Sequence, residues 1–302
     1  LEFRRVLFRS VLMYNNGHEL LQIAREKELS LSAVVIEAEC KLSNKSKEEV
    51  IREMQDVLKV MLEAAEYGLK NDVKSVGRLI GGDAKKVARS TTTLCGTVIN
   101  KVMARALSCA EVNASMGRIV AAPTAGSCGI LPATIITAAE ILNADEDRMI
   151  NALFTAAGIG QIIAKKGTLA GAEGGCQVEC GAASAMAAAA IVEMAGGTPE
   201  TSLHAGAIAI KNIMGLVCDP IAGLVESPCA KRNASGAVNA MISADLALAN
   251  VKSIVPFDEV IDAMFKVGRA LPVELRETAM GGLATTPTGI KIKNHIYREE
   301  NQ

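Results

Sequence analysis

The sequence predicts an all-α protein, and three observations carry that prediction. Apolar residues recur at helical spacing along most of the chain, and no stretch sustains the period-two alternation of a strand. Only 3% of residues are aromatic and Trp is absent, so the apolar volume comes from Ala, Ile, Leu, Val and Met. Such small or helix-favouring side chains let helices pack closely.

Taken in order, the elements begin after an atypical start. Leu1–Ser10 (LEFRRVLFRS) holds two of the five Phe residues and three Arg, and reads neither as a signal core nor as an amphipathic helix. We read residues 1–12 as a non-native remnant, with the native chain starting near Met13. A first helix is expected around 18–27. Ser46-Lys47-Glu48-Glu49 then forms a capping box, in which Ser and Glu side chains satisfy each other's free backbone N–H groups. It opens a helix whose Val50, Met54, Val57, Leu58, Met61, Leu62 and Ala65 share one face, ending near Gly68. Further helices are expected at 84–110, 131–142, 146–165, 181–195, 201–216, 234–249 and 257–270. The glycine-bearing, charged segment 68–82 divides a helical N-terminal arm (13–82) from an Ala- and Gly-rich body (83–302).

Composition narrows the function classes. The 302 residues allow one large domain or two smaller ones, and half of them are hydrophobic. A net charge of −1 gives no basic surplus, which argues against nucleic acid or an anionic membrane as main partner. The Ala182–Val192 run, broken by Ser184, is too short for the roughly 20 residues that cross a bilayer. The eight cysteines need not be disulfide staples in so large a core, so a cytoplasmic chain with reduced thiols is expected.

Four segments carry chemistry. Cys176, Cys218 and Cys229 each stand within two residues of Gly or Pro, where the backbone leaves regular structure and a thiolate can point into a cavity. They suggest a soft-metal site with one open position, although spacing alone does not name the metal. Around Cys176, the glycines of GAEGGCQVECG cost about 1 kcal/mol each in a plain helix. They indicate either close helix packing or a group that needs the backbone near. Pro123–Gly129 (PTAGSCG) precedes an apolar run, so Thr124, Ser127 and the N–H groups around Gly126 suit a substrate carboxylate. A plain interhelical turn capped by Ser127 is the alternative. His204 and Lys211 lie seven apart on one expected helix face and are candidate bases, or a structural His and Lys. Lys231 and Arg232 either offset the charge of a cluster and bind a carboxylate, or form an exposed basic pair.

A resemblance then joins these segments. PTAGSCG at 123–129, GAEGGCQVE at 171–179, KNIMGLVCDPIAGLVESPCAKRN at 211–233 and ELRETAMGGLATTPTG at 274–289 resemble the alpha chains of bacterial iron–sulfur-dependent L-serine dehydratases. The likeness runs from about Asn16 to the end of the chain. It implies a [4Fe–4S] cluster on Cys176, Cys218 and Cys229, with the fourth iron open to L-serine and Cys128 and Cys180 outside the cavity. It also implies an all-helical catalytic domain (83–302) and a separate beta chain in a heteromer that can itself dimerise. The activity implied is L-serine ammonia-lyase, in serine catabolism or gluconeogenesis. Two alternatives stay open here: a related lyase acting on cysteine or another β-substituted amino acid, and a non-catalytic metal or redox protein.

Overall fold

The computed structural model describes residues 13–299, so the reading of residues 1–12 as a remnant lies outside the described residues. Thirteen helices form among them, and no strand or sheet; the all-α expectation holds. In chain order they are α1 Gly17–Glu26, α2 Leu31–Ser43, α3 Lys47–Lys70, α4 Asp83–Ala88, α5 Gly96–Ala114, α6 Ile130–Leu142 and α7 Glu146–Lys166. There follow α8 Gly171–Gly174, α9 Ala182–Met194, α10 Pro199–Asn212, α11 Cys229–Leu248, α12 Phe257–Ala270 and α13 Pro287–Glu299.

Local chemistry accounts for the ends. The capping box at Ser46 and Glu49 is present, with both reciprocal bonds made. α2, which the periodicity does not mark, starts where Ser30 Oγ accepts from the Ala33 N–H. The single helix expected at 84–110 is two, because Ser90–Thr93 is a run of hydroxyl residues that compete for backbone hydrogen bonds. α10 starts at Pro199 behind a Thr198 cap and stops at Asn212, short of 216. α11 starts at Cys229 and not at 234, which makes that cysteine the first residue of a helix.

Packing is built around α9. Its Ala-rich surface is buried nearly all round, as expected of a helix with no polar face. α6, α7, α10 and α11 surround it. The Ala125–Leu142 window is apolar and long enough to cross a membrane by length and composition, and 72% of it is buried inside the fold. α2 lies on α7 and α3 on α5. Leu31, Leu58 and Met61 therefore share one hydrophobic core with Ile159 and Met186. Each fully buried side chain of this size contributes about 1.5–3 kcal/mol. Tyr14, wholly buried, gives its hydroxyl to Gln161 Oε1 at 3.0 Å, so the ring is buried without an orphaned donor. Against this rigid body four irregular segments meet: 123–129, 171–181, 213–228 and 271–286.

Candidate active site

Cys176 stands on a turn that Gly175 makes possible, at φ +74°, a conformation costly for a side chain with a Cβ. The Cys176 carbonyl accepts from the N–H groups of both Glu179, at 3.1 Å, and Cys180, at 2.8 Å. A wide, π-type turn follows over Gln177–Gly181, a form often found at functional sites. Gln177, buried, ties the turn to its neighbours. Its Nε2 donates to the carbonyls of Gly174 (3.0 Å) and Met264 (3.2 Å), and its Oε1 accepts from the Gly215 N–H (2.9 Å). The Gln177 N–H also reaches the Leu216 carbonyl at 3.0 Å, two residues before Cys218.

Cys218 is held by its backbone. Its N–H donates to Leu275 O at 2.8 Å and its carbonyl accepts from the Glu277 N–H at 2.7 Å. Next to it Asp219 accepts from Arg232 Nη2 at 2.8 Å and from the Leu283 N–H at 2.7 Å. Near the other cysteine of this segment, Glu226 accepts from Ser75 Oγ and the N–H groups of Gly77 and Leu79. Cys229 then opens α11. Gly171 closes the floor: a Cβ there would lie 2.6 Å from Glu179 Oε2 and 3.2 Å from Cys218 Sγ.

Sulfur contacts set the electrostatics. Cys176, Cys180, Cys218 and Cys229 are all buried. The Cys180 and Cys218 thiols donate to Cys176, and with Arg232 they hold the Cys176 thiol well below its ordinary value. Cys180 and Cys218 are raised, first because they donate to that thiolate and then by burial. Burial, then the Cys176 charge, pushes the Cys229 thiol up to about 12. Burial likewise raises Glu179 to about 8, with the Cys176 and Glu277 charges adding to it. A cavity of about 360 Å³, lined in part by Asn212, Arg232 and Ser235, reaches Cys180 from the α10–α11 side.

The residues singled out in the sequence divide between this place and elsewhere. Thr124 Oγ1 donates to Glu179 Oε1 at 2.7 Å and lies 3.2 Å from Ser127 Oγ, so the 123–129 loop does meet the Cys176 turn. Arg232 turns inward, donating to the Val217 carbonyl at 2.8 Å as well as to Asp219. Lys231 turns outward into a surface ion pair with Asp83 at 3.0 Å. His204 and Lys211 do share a face, but both meet Ser253: His204 Nδ1 accepts from its N–H and Lys211 Nζ donates to its carbonyl. Cys128 lies apart with Cys109, whereas Cys180, expected outside the cavity, has its Sγ 3.3 Å from Cys176 Sγ. The double acceptance by the Cys176 carbonyl stacks residue 180 directly over residue 176.

Two polar residues of the site escaped sequence reasoning. Glu179 is one, although it stands in the Gly-rich run. Asn233 is the other. Its Nδ2 donates to the carbonyls of Gly126 (2.7 Å) and Cys229 (3.0 Å), and its Oδ1 accepts from the Gly129 N–H (2.8 Å). It thereby joins the loop to the start of α11; its place four residues after Cys229 was the available signal.

No three His, Cys, Asp or Glu side chains among the described residues surround a common point suited to a single metal ion. Thiolates on separate corners of a cluster need no such point. Buried thiols on three separate segments, one of them held well below its ordinary pKa beside an arginine, are a donor set that fits an iron–sulfur cluster.

Residues 26–284 match the model of the family described as "Serine dehydratase alpha chain". The chain belongs to that family. It is 50% identical to the probable L-serine dehydratase alpha chain of Bacillus subtilis (strain 168), over 94% of this chain and 96% of that one. It is also 50% identical to the L-serine dehydratase alpha chain of Peptoniphilus asaccharolyticus, over 95% of this chain and 99% of that one. The L-serine dehydratase of Streptomyces coelicolor (strain ATCC BAA-471 / A3(2) / M145) is 36% identical over 93% of this chain, which covers 63% of that longer protein.

Proposed function

We propose that this chain is the alpha chain of an iron–sulfur-dependent L-serine ammonia-lyase that converts L-serine to pyruvate and ammonia. One observation carries the reading. In a chain of this family, Cys176, Cys218 and Arg232 meet beside the 123–129 loop, with Cys229 opening the helix that bears Arg232. Cys176, Cys218 and Cys229 would hold a [4Fe–4S] cluster, whose open iron supplies a Lewis acid for the substrate's hydroxyl.

The chain's own residues do the rest. Arg232 offsets the negative charge of the thiolates, and Asp219 aims it. Ser127 and the N–H groups around Gly126 take the substrate carboxylate, beside Thr124, whose hydroxyl proton goes to Glu179. Asn233 and Gln177 fix the three cysteine segments relative to that loop, so the ligands need little reordering when substrate arrives. Loss of the α-proton and the β-hydroxyl yields 2-aminoacrylate, which tautomerises and hydrolyses. His204 and Lys211, the bases expected from the sequence, are engaged with Ser253, so in this reading the proton acceptor comes from a separate beta chain. The greater length of the Streptomyces relative supports a further module of that kind. A cytoplasmic enzyme of serine catabolism or gluconeogenesis follows.

Anaerobic reconstitution with iron and sulfide, with and without the beta chain, tests the reading. A brown absorbance lost in Cys176→Ala, Cys218→Ala and Cys229→Ala, with pyruvate formed from L-serine only when both chains are present, is expected. A colourless protein that still turns over serine refutes the cluster. Full turnover by this chain alone refutes the heteromer. Ammonia release from serine, threonine and cysteine ranks the substrates.

A further inference from the structure

We propose that Glu179 receives the α-ammonium group of the substrate and thereby selects an amino acid over the matching hydroxy acid. The proposal deepens the serine-lyase reading and rests on it.

Position is the first argument. Glu179 lies between the loop expected to hold the carboxylate and a cysteine expected to hold iron. Its Oε1 accepts from Thr124 Oγ1 at 2.7 Å, and a Cβ on Gly171 would lie 2.6 Å from its Oε2 and 3.2 Å from Cys218 Sγ. An α-amino acid carries its ammonium and carboxylate on one carbon, so their two subsites must be immediate neighbours. Glu179 and Thr124 touch.

Space is the second. A Cβ on Gly126 would come within 3.2 Å of Glu179 Oε1. Two glycines therefore flank the carboxylate, one on each side, and neither places a side chain over it.

Charge is the third. Every neighbouring charge that acts on Glu179 is negative, from Cys176 and Glu277, and its one favourable neighbour is the neutral Thr124 hydroxyl. A partly buried carboxylate without a cation is costly. Elsewhere in the site that demand is met from within the chain: Asp219 has Arg232. At Glu179 no such cation stands among the described residues; the ammonium that serine brings would supply it and favour the ionised carboxylate. The hydroxyl of a hydroxy acid at the same carbon would restore no charge, which makes the carboxylate a discriminator and not only an anchor.

The test uses the reconstituted two-chain protein and a pair of ligands, L-serine and L-glycerate, that differ only in ammonium against hydroxyl. The KM for serine and the inhibition constant for glycerate are measured under anaerobic conditions for wild type and Glu179→Gln. The Gln amide keeps an acceptor for Thr124 and removes the charge. The proposal expects wild type to favour serine, and the variant to lose about tenfold or more of that preference. Glycerate binding and the brown absorbance should stay within about twofold of wild type. A serine-to-glycerate ratio unchanged by the substitution, or a parallel loss of both ligands, overturns the proposal. Should the variant fail to fold, wild type alone decides: glycerate binding as tightly as serine overturns it. Absence of both turnover and binding in wild type sinks the lyase reading itself, whereas serine turnover with an unchanged ratio sinks only the role of Glu179.

Discussion

Cys109 and Cys128 are as deeply buried as Cys176 and Cys218, yet their chemistry is opposite. The first pair packs with Ala64, Ala65 and Ile136. Burial dominates there, pushing the Cys128 thiol up to about 12 and Cys109 well above its ordinary value, with the Cys128 charge adding to the latter. At Cys176 burial works in the same direction and loses, because two thiol donors and Arg232 favour the thiolate. A buried cysteine is thus an inert small hydrophobe until donors and a cation are built around it. The reach of two thiol donors and an arginine makes the difference.

That contrast can be broken in graded ways. The largest effect is expected from Cys176→Ala, which should abolish both the brown absorbance and serine turnover. Cys128→Ala should keep both and cost only about 1–2 kcal/mol through a small cavity, read by denaturant unfolding. Loss of colour in both variants would erase the distinction. Next comes Gly171→Ala, whose methyl group would press on Glu179 and Cys218. Iron content or turnover should fall by about tenfold or more, at a stability cost near 1–2 kcal/mol.

The neighbours on α11 sharpen the role of the cation. In the cluster-free chain Arg232→Gln should raise the midpoint of thiolate formation, followed by its ultraviolet absorbance, and lower iron uptake. Lys231→Gln should leave the midpoint unmoved and change stability by less than about 1 kcal/mol, as an exposed ion pair does. An equal response from both would show that general charge and not placement matters.

The smallest effect concerns pH. Glu179 is raised from 4.5 to about 8 in the fold, so the folded state favours its protonated form. Its contribution to stability is full below about pH 4.5 and is lost as pH rises through about 8. Against Glu179→Gln, the cluster-free wild type should lose stability steadily across that window and nothing further above it. A constant difference from pH 4 to pH 9 would rule this out.

Much of this was legible in the sequence where the signal is local. Helical periodicity gives the class, and the capping box at Ser46 gives one helix start outright. Gly and Pro near Cys176, Cys218 and Cys229 mark the segments that meet. What was not legible depends on which groups face each other in space. His204 and Lys211 were placed on a common face by their spacing, but Ser253, which covers that face, comes from a loop beyond the next helix. Cys180 reads as the start of a core helix, and the bond of its N–H to the Cys176 carbonyl stacks its sulfur against that of Cys176. Asn233 reads as one more polar residue of a helix until the loop it joins is seen.

The two backbone bonds at Cys218 carry a consequence for biosynthesis. Its partners are Leu275 and Glu277, and Asp219 beside it waits for Leu283. On a ribosome, Cys176 and Cys229 emerge long before these residues do. The segment bearing Cys218 can meet Gln177 and Arg232 early, but it lacks its partners at 275, 277 and 283 until the chain is nearly finished, so iron delivery belongs to the end of translation. Nascent chains stalled before residue 275 should emerge with their helices formed and their sulfurs empty.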